Sequence, residues 1–362
     1  MQLEILPGSA PAGAAPSVLT LVRDKIKLEE QAAKSSVVDV PGGSEPQRFG
    51  VIDLPTFYLD SAAKAEGQAD FRSTSRDVQL LIEELTSSED GVDGIIIDLR
   101  GNGGGALSEA IDLTGLFIKS GPVVQVKDTR GDVKVERDTD KSIVYDGPLA
   151  VLVDRNSASA SEIFAAAIQD YGRGVVLGEP TFGKGTVQTV APLDRQGTLG
   201  QLKITMAQFF RVNGDGTQFR GVVPDVQFPT ALDSDAQGES GLDNALPWAA
   251  VAPAKYDVWP EREIDFSSLQ AQHETRYRND ETFSLLIEEL EEQREARASS
   301  TVSLVEAVRR QEIEDQTVDN EKREELFRAA FGISSGDDED ADDVSDILLQ
   351  EAANVLSDVI NS

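Results

Sequence analysis

Three short apolar runs place the strongest limit on how this chain of 362 residues can fold. They span residues 94–99, 148–153 and 174–178, and each is apolar along most of its length instead of alternating with polar residues. Such runs are typical of strands buried on both faces of a parallel sheet. Helical patterns follow the first two, from about Leu107 and from about Ala160. Strands that alternate with helices across short turns predict an α/β core.

The remaining patterns divide the chain into four parts. Residues 1–30 resemble the remnant of a small β module with a connector, because two strand-like runs occur at residues 3–6 and 17–22. Residues 31–230 form the predicted core, with further strands at 51–59 and 202–212 and a helix at 75–86. Residues 231–258 are predicted to be a linker, and residues 259–362 a helical C-terminal domain. An acidic stretch at 336–343 inside that domain is too self-repelling to pack.

The charge balance limits the partners of the chain. There are 33 basic and 65 acidic residues, which gives a net charge of −32. A surface of this sign repels nucleic acid and anionic lipid, so neither is an expected partner.

The chain contains no cysteines, which excludes disulfides, thiolate catalysis and cysteine–zinc sites. No cofactor is predicted.

The start of the chain carries no recognisable targeting segment. Met1 to Ser17 lack a basic region followed by an apolar one, so no signal peptide is visible, and no run of about 18 apolar residues predicts a membrane span. The first strand-like runs have no partner domain before them. We therefore expect the natural chain to begin earlier.

The single histidine, His273, narrows the catalytic chemistry. It lies in a charged stretch, which favours a solvated side chain on a helix. A Ser-His-Asp triad needs a histidine between the nucleophile and the carboxylate, and His273 is a poor candidate. Histidine-rich metal sites are excluded for the same reason.

A serine-rich junction follows the second apolar run. Ser157, Ser159 and Ser161 lie between a predicted strand and an amphipathic helix. A serine at a helix N-terminus meets unpaired backbone N–H groups that favour developing negative charge. The simpler interpretation is an N-cap serine with Glu162 completing a capping box.

A glycine-flanked lysine follows the third apolar run. If residues 184–188 are extended, Lys184, Thr186 and Gln188 share one face. A lysine that acts as a base must be neutral, and burial lowers its pKa. The alternatives are a simple glycine-rich turn or half of a phosphate-binding loop. The spacing of the loop motif is wrong because Gly185 follows the lysine.

A glycine run follows the first apolar run. Residues 98–105 read Asp-Leu-Arg-Gly-Asn-Gly-Gly-Gly, and a run of this kind lets backbone N–H groups approach a ligand closely. The alternative is a tight turn. As an oxyanion donor, this stretch would complement the N–H of Ala160.

These three stretches, in this order and spacing, resemble the C-terminal processing peptidases, also called tail-specific proteases. The similarity continues through residues 153–173, 178–188, 210–214, 221–225 and 243–248, and so covers nearly the whole chain. The resemblance implies an α+β layered, crotonase-like protease core followed by helices.

The resemblance also assigns roles to particular residues. It implies Ser159 as the nucleophile, with Lys184 as the base 25 positions later and Gln188 as the third member. Gly105 and Ala160 match the oxyanion donors. The family also carries an aspartate that matches Asp170, and the resemblance implies a catalytic role for it in the charge relay. Since about 11 residues of helix span roughly 16 Å, we expect Asp170 to be structural.

The substrate and setting are likewise implied by the resemblance alone. Family members bind apolar protein C-termini on a PDZ-like module, by strand addition and capture of the carboxylate, and some use an adaptor lipoprotein. A periplasmic location follows from the same source. Residues 2–22 match only the last strands of that module, and the segment between Val190 and Leu202 is shorter than in the family. These departures put tail recognition by this chain in question.

Two rival functions remain at this stage. The same fold can serve as a non-catalytic peptide- or lipid-binding module, as in retinoid-binding repeats that resemble this family. The stretch Ser61-Ala62-Ala63-Lys64 also fits the Ser-x-x-Lys spelling of penicillin-binding enzymes. Their supporting Ser-Asp-Asn and Lys-Thr-Gly motifs are missing, and the complete set of Ser159, Lys184 and Gln188 argues against the first rival.

Overall fold

The structure of the chain, a computed structural model, describes residues 2–6, 10–11, 13–22, 31–41, 46–88, 91–195, 198–230, 238–259, 264–298, 301, 303–330 and 346–362. The strands are β1 (Gln2–Ile5), β2 (Ser17–Thr20), β3 (Lys34–Val40), β4 (Gln47–Asp53), β5 (Gly94–Asp98), β6 (Gly121–Asp128), β7 (Val133–Asp138), β8 (Leu149–Val153), β9 (Val175–Gly178), β10 (Thr186–Pro192), β11 (Gln201–Phe210) and β12 (Val226–Gln227). The helices are α1 (Ser61–Ala65), α2 (Thr74–Ser87), α3 (Leu107–Gly115), α4 (Ala160–Asp170), α5 (Phe266–Asn279), α6 (Glu281–Ala298), α7 (Glu306–Ala330) and α8 (Ile347–Asn361), with a short 3₁₀ turn at Glu239–Gly241.

The main sheet has six strands in the order β12, β9, β8, β5, β4, β3. Every neighbouring pair is parallel except β3 with β4 at one edge. The central strands β5, β8 and β9 are buried along their whole length. The fold class is therefore α/β, as the apolar runs predict.

Helices cover both faces of the main sheet. Successive strand residues point to opposite faces, so each central strand contributes to two cores. Ile97 packs with Phe164 of α4 in the core beneath α2, α3 and α4. Ile96 packs with Leu356 of α8 in the core beneath α5 and α8. Burying one such side chain contributes about 1.5–3 kcal/mol.

A second sheet of four antiparallel strands runs in the order β10, β11, β6, β7. In the chain, β6 and β7 lie between β5 and β8 of the main sheet, and β10 begins eight residues after β9 ends. The first two strands, β1 and β2, form a separate antiparallel pair with exposed faces. None of the described helices is long and apolar enough to cross a membrane.

The structure confirms the predicted central elements. β5, β8 and β9 match the predicted strands within one residue at each end, and α2 matches the predicted helix at 75–86 equally well. The strand predicted at 51–59 is placed wrongly, since β4 ends at Asp53, two residues before Pro55. Proline has no N–H for a ladder. The sequence analysis did not identify β3, β6 or β7.

The segments predicted as a linker and a C-terminal domain contact the core extensively. Within residues 238–259, Val251 N–H donates to Gly214 O at 2.8 Å and Ala254 N–H donates to Val212 O at 2.9 Å. Helices α5 and α8 share a core with the main sheet. The predicted boundaries of these segments stay predictions, and the acidic stretch 336–343 lies outside the described residues.

Candidate active site

Three loops leave the carboxyl ends of three neighbouring strands. β5, β8 and β9 are adjacent and parallel. They lead into the glycine run, the serine junction and the lysine turn, respectively. The carboxyl ends of parallel strands meet at one edge of a sheet, where open α/β sheets bind their ligands. The topology therefore brings together the three stretches that the sequence analysis selected.

Ser159 occupies the sharp turn between β8 and α4. Its backbone has φ 58° and ψ −109°, outside the regions that side chains favour. Such a conformation costs about 1–3 kcal/mol and persists only where the surroundings hold it. Ser157 Oγ donates to Leu99 O at 2.8 Å, and Ser161 Oγ donates to Asn102 O at 2.9 Å. The two flanking serines thus have structural bonds, and Ser159 is the half-buried serine between them.

Gly104 packs directly against the serine turn. A Cβ on Gly104 would lie 2.8 Å from Ser159 Cβ and 2.9 Å from Ala160 N, and its φ is +98°. Asn102 fixes the loop, because its Oδ1 accepts from Gly104 N at 2.8 Å and its Nδ2 donates to Leu54 O at 2.7 Å. Only glycine allows this approach of the two loops.

The family resemblance implies the backbone amides of Gly105 and Ala160 as oxyanion donors. Phe57 N–H donates to Gly104 O at 3.0 Å and Ala106 N–H donates to Phe57 O at 2.9 Å. In a parallel bridge these bonds turn the N–H of Gly105 away from Phe57. Ala160 is the first residue of α4, so its N–H has no helical partner. The role of these two amides as oxyanion donors stays a prediction.

Glu162 joins the serine turn to the lysine turn. It is fully buried, and its Oε2 accepts from both Ser159 N at 2.7 Å and Lys184 N at 2.9 Å. Its Oε1 accepts from Thr181 Oγ1 at 2.7 Å and Gly183 N at 2.8 Å. Because one oxygen accepts both bonds, the distance between the backbone nitrogens of Ser159 and Lys184 cannot exceed the two bond lengths added together. Burial raises the pKa of Glu162 to about 7, against the lowering effect of the four donors.

The pKa of Lys184 is lowered in the folded protein. Burial is the largest cause, and the positive charge of Lys203 adds to it, while Glu162 and Glu239 act in the opposite direction. A lower pKa increases the neutral fraction that a general base requires. Within the described residues, no hydrogen bond joins Lys184 Nζ to Ser159 Oγ, so their direct pairing stays a prediction.

Gln188 lies on β10, and Lys184 lies just before that strand, which begins at Thr186. The extended face predicted from residue 184 is therefore present only from 186 onward. Gln188 is exposed, and its Nε2 lies 3.5 Å from Thr205 Oγ1. β11 carries an extra residue, Met206, opposite the step from Val187 to Gln188. The role of Gln188 toward Lys184 stays a prediction.

Asp170 lies at the opposite end of α4 from Ser159. Its Oδ1 accepts from Arg211 Nη2 at 2.5 Å and from Asn213 Nδ2 at 2.9 Å, and its Oδ2 accepts from Arg211 Nε at 3.2 Å. Eleven helical residues separate the two ends by about 16 Å. These contacts support the structural role expected for Asp170.

Comparison with known sequences identifies the family. Residues 48–228, which contain all three loops and both sheets apart from β3, match the family described as Peptidase family S41. The chain belongs to peptidase family S41. Residues 232–361 of this S41 chain match the C-terminal domain of tail specific protease.

Two sequence relatives agree with this assignment. The chain is 41% identical to the tail-specific protease of Haemophilus influenzae over 312 residues, which are 84% of this chain and 42% of that protein. It is 32% identical to the chloroplastic C-terminal processing peptidase of Tetradesmus obliquus, over 66% of this chain and 48% of that protein. A solved photosystem II D1 C-terminal processing protease is 30% identical with a TM-score of 0.47, over 67% of this chain and 60% of that one. The S41 chain thus spans less than half the length of these two sequence relatives.

The interpretation of His273 as a solvated side chain is wrong. His273 lies on α5 of the S41 chain, as the helical pattern indicates, but it is fully buried. Its Nδ1 lies 2.8 Å from Glu351 Oε1, and its ring packs against Phe228 and Tyr277. These partners lie on the α5 and α8 side of the sheet, so His273 takes no part in the serine site.

The sequence analysis missed two residues of the S41 site. Glu162 was recognised only as a capping-box residue, and the structure shows that it also bonds to the lysine turn. Thr181 is fully buried, and its Oγ1 donates to Glu162 while accepting from Val222 N at 2.7 Å. The capping-box spacing was a usable signal for Glu162. No local pattern identifies Thr181, because its partners are distant in sequence.

Proposed function

We propose that this S41 chain carries the catalytic centre of a serine endopeptidase in which Ser159 is the nucleophile and Lys184 the general base. The observation that carries the proposal is the single Glu162 oxygen bonded to the backbone nitrogens of both residues. The lowered pKa of Lys184 and the strained backbone of Ser159 add support.

Acylation follows from this arrangement. Neutral Lys184 Nζ takes the proton of Ser159 Oγ as the oxygen bonds to the scissile carbonyl carbon. The amides of Gly105 and Ala160 stabilise the resulting oxyanion. Collapse of the tetrahedral intermediate breaks the carbon–nitrogen bond, and the Lys184 ammonium returns its proton to the leaving amine.

Deacylation reverses these roles with water. Lys184, neutral again, takes a proton from a water molecule that attacks the acyl carbon. Collapse breaks the bond between Ser159 Oγ and that carbon, the Lys184 ammonium returns its proton to Oγ, and a carboxylic acid leaves. Gln188 is proposed to orient the lysine amine without adding a charge. This requires its side chain to turn from Thr205 toward Lys184.

We propose that the whole protein selects polypeptides with apolar C-termini. The relatives named for C-terminal processing and the small β1–β2 pair, which has exposed apolar side chains, support this substrate class. A periplasmic location and an adaptor lipoprotein are proposed on the family resemblance alone. Cell fractionation of the natural protein and co-purification from the outer envelope would test these two points.

Digestion of an unfolded reporter protein tests the catalytic proposal. Two reporters differ only in their last three residues, which are apolar in one and aspartate in the other, and products are read by mass spectrometry. We expect cleavage by the chain and a loss of more than about 10³-fold in kcat for Ser159→Ala and for Lys184→Ala. Preference for the apolar tail tests the substrate class separately.

Two outcomes would contradict these proposals. If Lys184→Ala retained near wild-type rates, lysine would not be the base. If the folded wild-type chain bound the reporter without cutting it, the non-catalytic binding module would be the better description. Melting curves of each variant show whether a loss of rate is a loss of fold.

A further inference from the structure

The N-cap of the last helix contacts the glycine-run loop. Asp346 caps α8, because its Oδ1 accepts from Leu348 N at 3.1 Å and Leu349 N at 3.0 Å. Its other oxygen, Oδ2, accepts from Arg100 Nη2. Arg100 lies five residues before Gly105, a proposed oxyanion donor. One carboxylate thus joins two parts of the chain that are 246 residues apart.

Arg100 is also bound to the end of β5. Its Nε donates to both carboxylate oxygens of Asp98 at 3.0 Å, and its backbone N–H donates to Asp98 Oδ1 at 3.0 Å. Asp53 lies close enough for Arg100 to lower its pKa, although burial and Asp98 raise that pKa overall. Arg100 therefore interacts with the carboxylates of Asp53, Asp98 and Asp346. Of these three, Asp346 alone lies outside the main sheet.

Arg100 is part of a loop that is tied to the serine turn. Gly101 N–H donates to Asp154 Oδ1 at 3.0 Å, and Leu99 O accepts from Ser157 Oγ at 2.8 Å. A displacement of Arg100 would therefore also displace the segment that ends in Ser159. Errors of about 1 Å in such a position can cost up to about 10²-fold in rate.

The helix that Asp346 caps is packed against the main sheet. Ala352, Ala353, Val355 and Leu356 of α8 are fully buried against the main sheet. The side chains of Arg100 and Asp346 are 23% and 38% exposed, so neither is fully screened by water. A fixed helix and a charge-assisted bond together can hold a loop in one conformation.

We propose that Asp346 is a positioning residue for catalysis, which holds the oxyanion loop 98–105 through Arg100. The inference rests on the proposed function, since it assigns a role toward the same site. It adds that the helical region matched to the C-terminal domain of tail specific protease completes the catalytic centre.

Substitution of Asp346 by asparagine tests the proposal in the full chain. Asparagine caps a helix as well as aspartate does, so α8 is preserved while the charge is lost. We expect Asp346→Asn to lower kcat about three- to tenfold with KM changed less than about twofold. Asp346→Glu, which keeps the charge, should recover part of the loss.

A matched control separates the charge from capping. Asp265 caps α5, where its Oδ1 accepts from Ser268 N at 3.1 Å, and no hydrogen bond joins it to residues 98–105. Asp265→Asn should leave kcat unchanged. A kcat for Asp346→Asn equal to that of this control, or a fall fully explained by a smaller folded fraction, would overturn the proposal.

Hydrogen exchange gives a readout that does not depend on catalysis. In Asp346→Asn we expect faster exchange of the Arg100 and Gly101 amides, with exchange in α4 unchanged. Suppose that the wild-type chain cut no substrate but exchange still became faster in Asp346→Asn. The catalytic proposal would then fail, whereas the effect of the Asp346–Arg100 contact on the loop would stand. Unchanged exchange at both amides would reject the positioning role.

Discussion

At Ser159 the backbone adopts a conformation that non-glycine residues rarely enter, and neighbouring groups hold it there. Glu162 accepts the Ser159 N–H, and Gly104 allows the adjacent loop to touch the Ser159 side chain. The conformation of Ser159, the proposed nucleophile, is therefore set by the surrounding groups more than by its own backbone preference. A change to either neighbour should act on catalysis before it acts on the fold.

Gly104→Ala tests the close approach of the two loops. The added Cβ would meet Ser159 Cβ at 2.8 Å and Ala160 N at 2.9 Å, and the φ of +98° is itself unfavourable for alanine. We expect kcat to fall at least about 100-fold, because Ser159 and Ala160, the proposed nucleophile and oxyanion donor, are both displaced. Steady-state cleavage of the unfolded reporter measures the effect.

Gly103→Ala is the matched control for this prediction. A Cβ at Gly103 would have no atom within 4 Å, and its φ is not in the left-handed region. It should therefore cleave at close to the wild-type rate. Equal activity of the two alanine variants would show that the contact at Gly104 does not matter for catalysis.

The pH dependence of cleavage tests the state of Lys184. Only its neutral form can take a proton, so kcat/KM should rise with pH up to the lowered pKa of Lys184 and then level off. Removing the positive charge of Lys203 removes one cause of the lowering. Lys203→Gln should therefore move the rising limb of the profile to higher pH.

Lys141→Gln makes the same change of charge at an exposed position on the connection from β7 to β8. The two variants differ only in where the charge is lost, so the control should leave the profile in place. If Lys203→Gln left the limb unmoved or shifted it to lower pH, the electrostatic account of Lys184 would be incorrect.

At the scale of elements, the sequence predicted the strands that have a recognisable local pattern of apolar residues. β5, β8 and β9 were predicted because a strand buried on both faces needs an unbroken apolar run. β3 was missed because it is an antiparallel edge strand with mostly exposed residues and little apolar pattern. β3 is held in the sheet by its pairing with β4, and the residues of β3 alone do not identify that partner.

The site shows the same division between local and distant information. The serine junction, the lysine turn and the glycine run were selected because each follows a predicted strand, whereas the choice of Ser159 among the three serines came from the family resemblance. The bonds from Glu162 to the lysine turn join residues 21 and 22 positions apart. His273 was misjudged because its partner Glu351 lies 78 positions away. Tertiary contacts of this kind have no local period to detect.

Leu356→Ala tests the packing of α8 on the main sheet. Leu356 is fully buried, and its Cδ2 would be 3.0 Å from a Cβ placed on Gly94 of β5. Loss of its side chain should lower the free energy of unfolding by about 2–5 kcal/mol. Urea denaturation followed by circular dichroism provides the measurement.

Leu326→Ala on α7 removes the same atoms from a side chain that is 52% exposed. Its effect should stay within about 0.5 kcal/mol, as is usual for surface positions. A similar loss in both variants would mean that α8 does not depend on the contact seen at Gly94.

At the scale of the whole molecule, a buried charged cluster links α5 to α8. Glu351 is 1% exposed and accepts from His273 Nδ1 at 2.8 Å and Arg276 Nε at 2.9 Å, and Arg276 Nη1 donates to Asp358 at 2.6 Å. Breaking a buried pair by removing one charge typically costs about 3–5 kcal/mol. The helical layer therefore depends on this cluster as well as on apolar packing.

Glu351→Gln should make the free energy of unfolding less dependent on pH in the acidic range. Burial alone raises the pKa of Glu351, but bonds from His273, Arg276 and Asn354 lower it overall. A lowered pKa gives stability that is present above the unfolded value, about 4.3, and is lost as pH falls through the folded value. The wild type should lose more free energy of unfolding than the variant in that acidic window, and parallel urea titrations would compare the two.

The placement of α8 has a consequence for how the protein is made. Its last turns bond to the start of β4, where Asn361 Nδ2 lies 3.3 Å from Gln47 Oε1 and Ser357 Oγ donates to the same oxygen across 310 residues. A ribosome releases the loops that follow β5, β8 and β9 well before it releases α8. The part of the main sheet that α8 covers stays exposed until this helix has been made, so a chain whose synthesis stops before α8 would present those apolar strand side chains to other molecules.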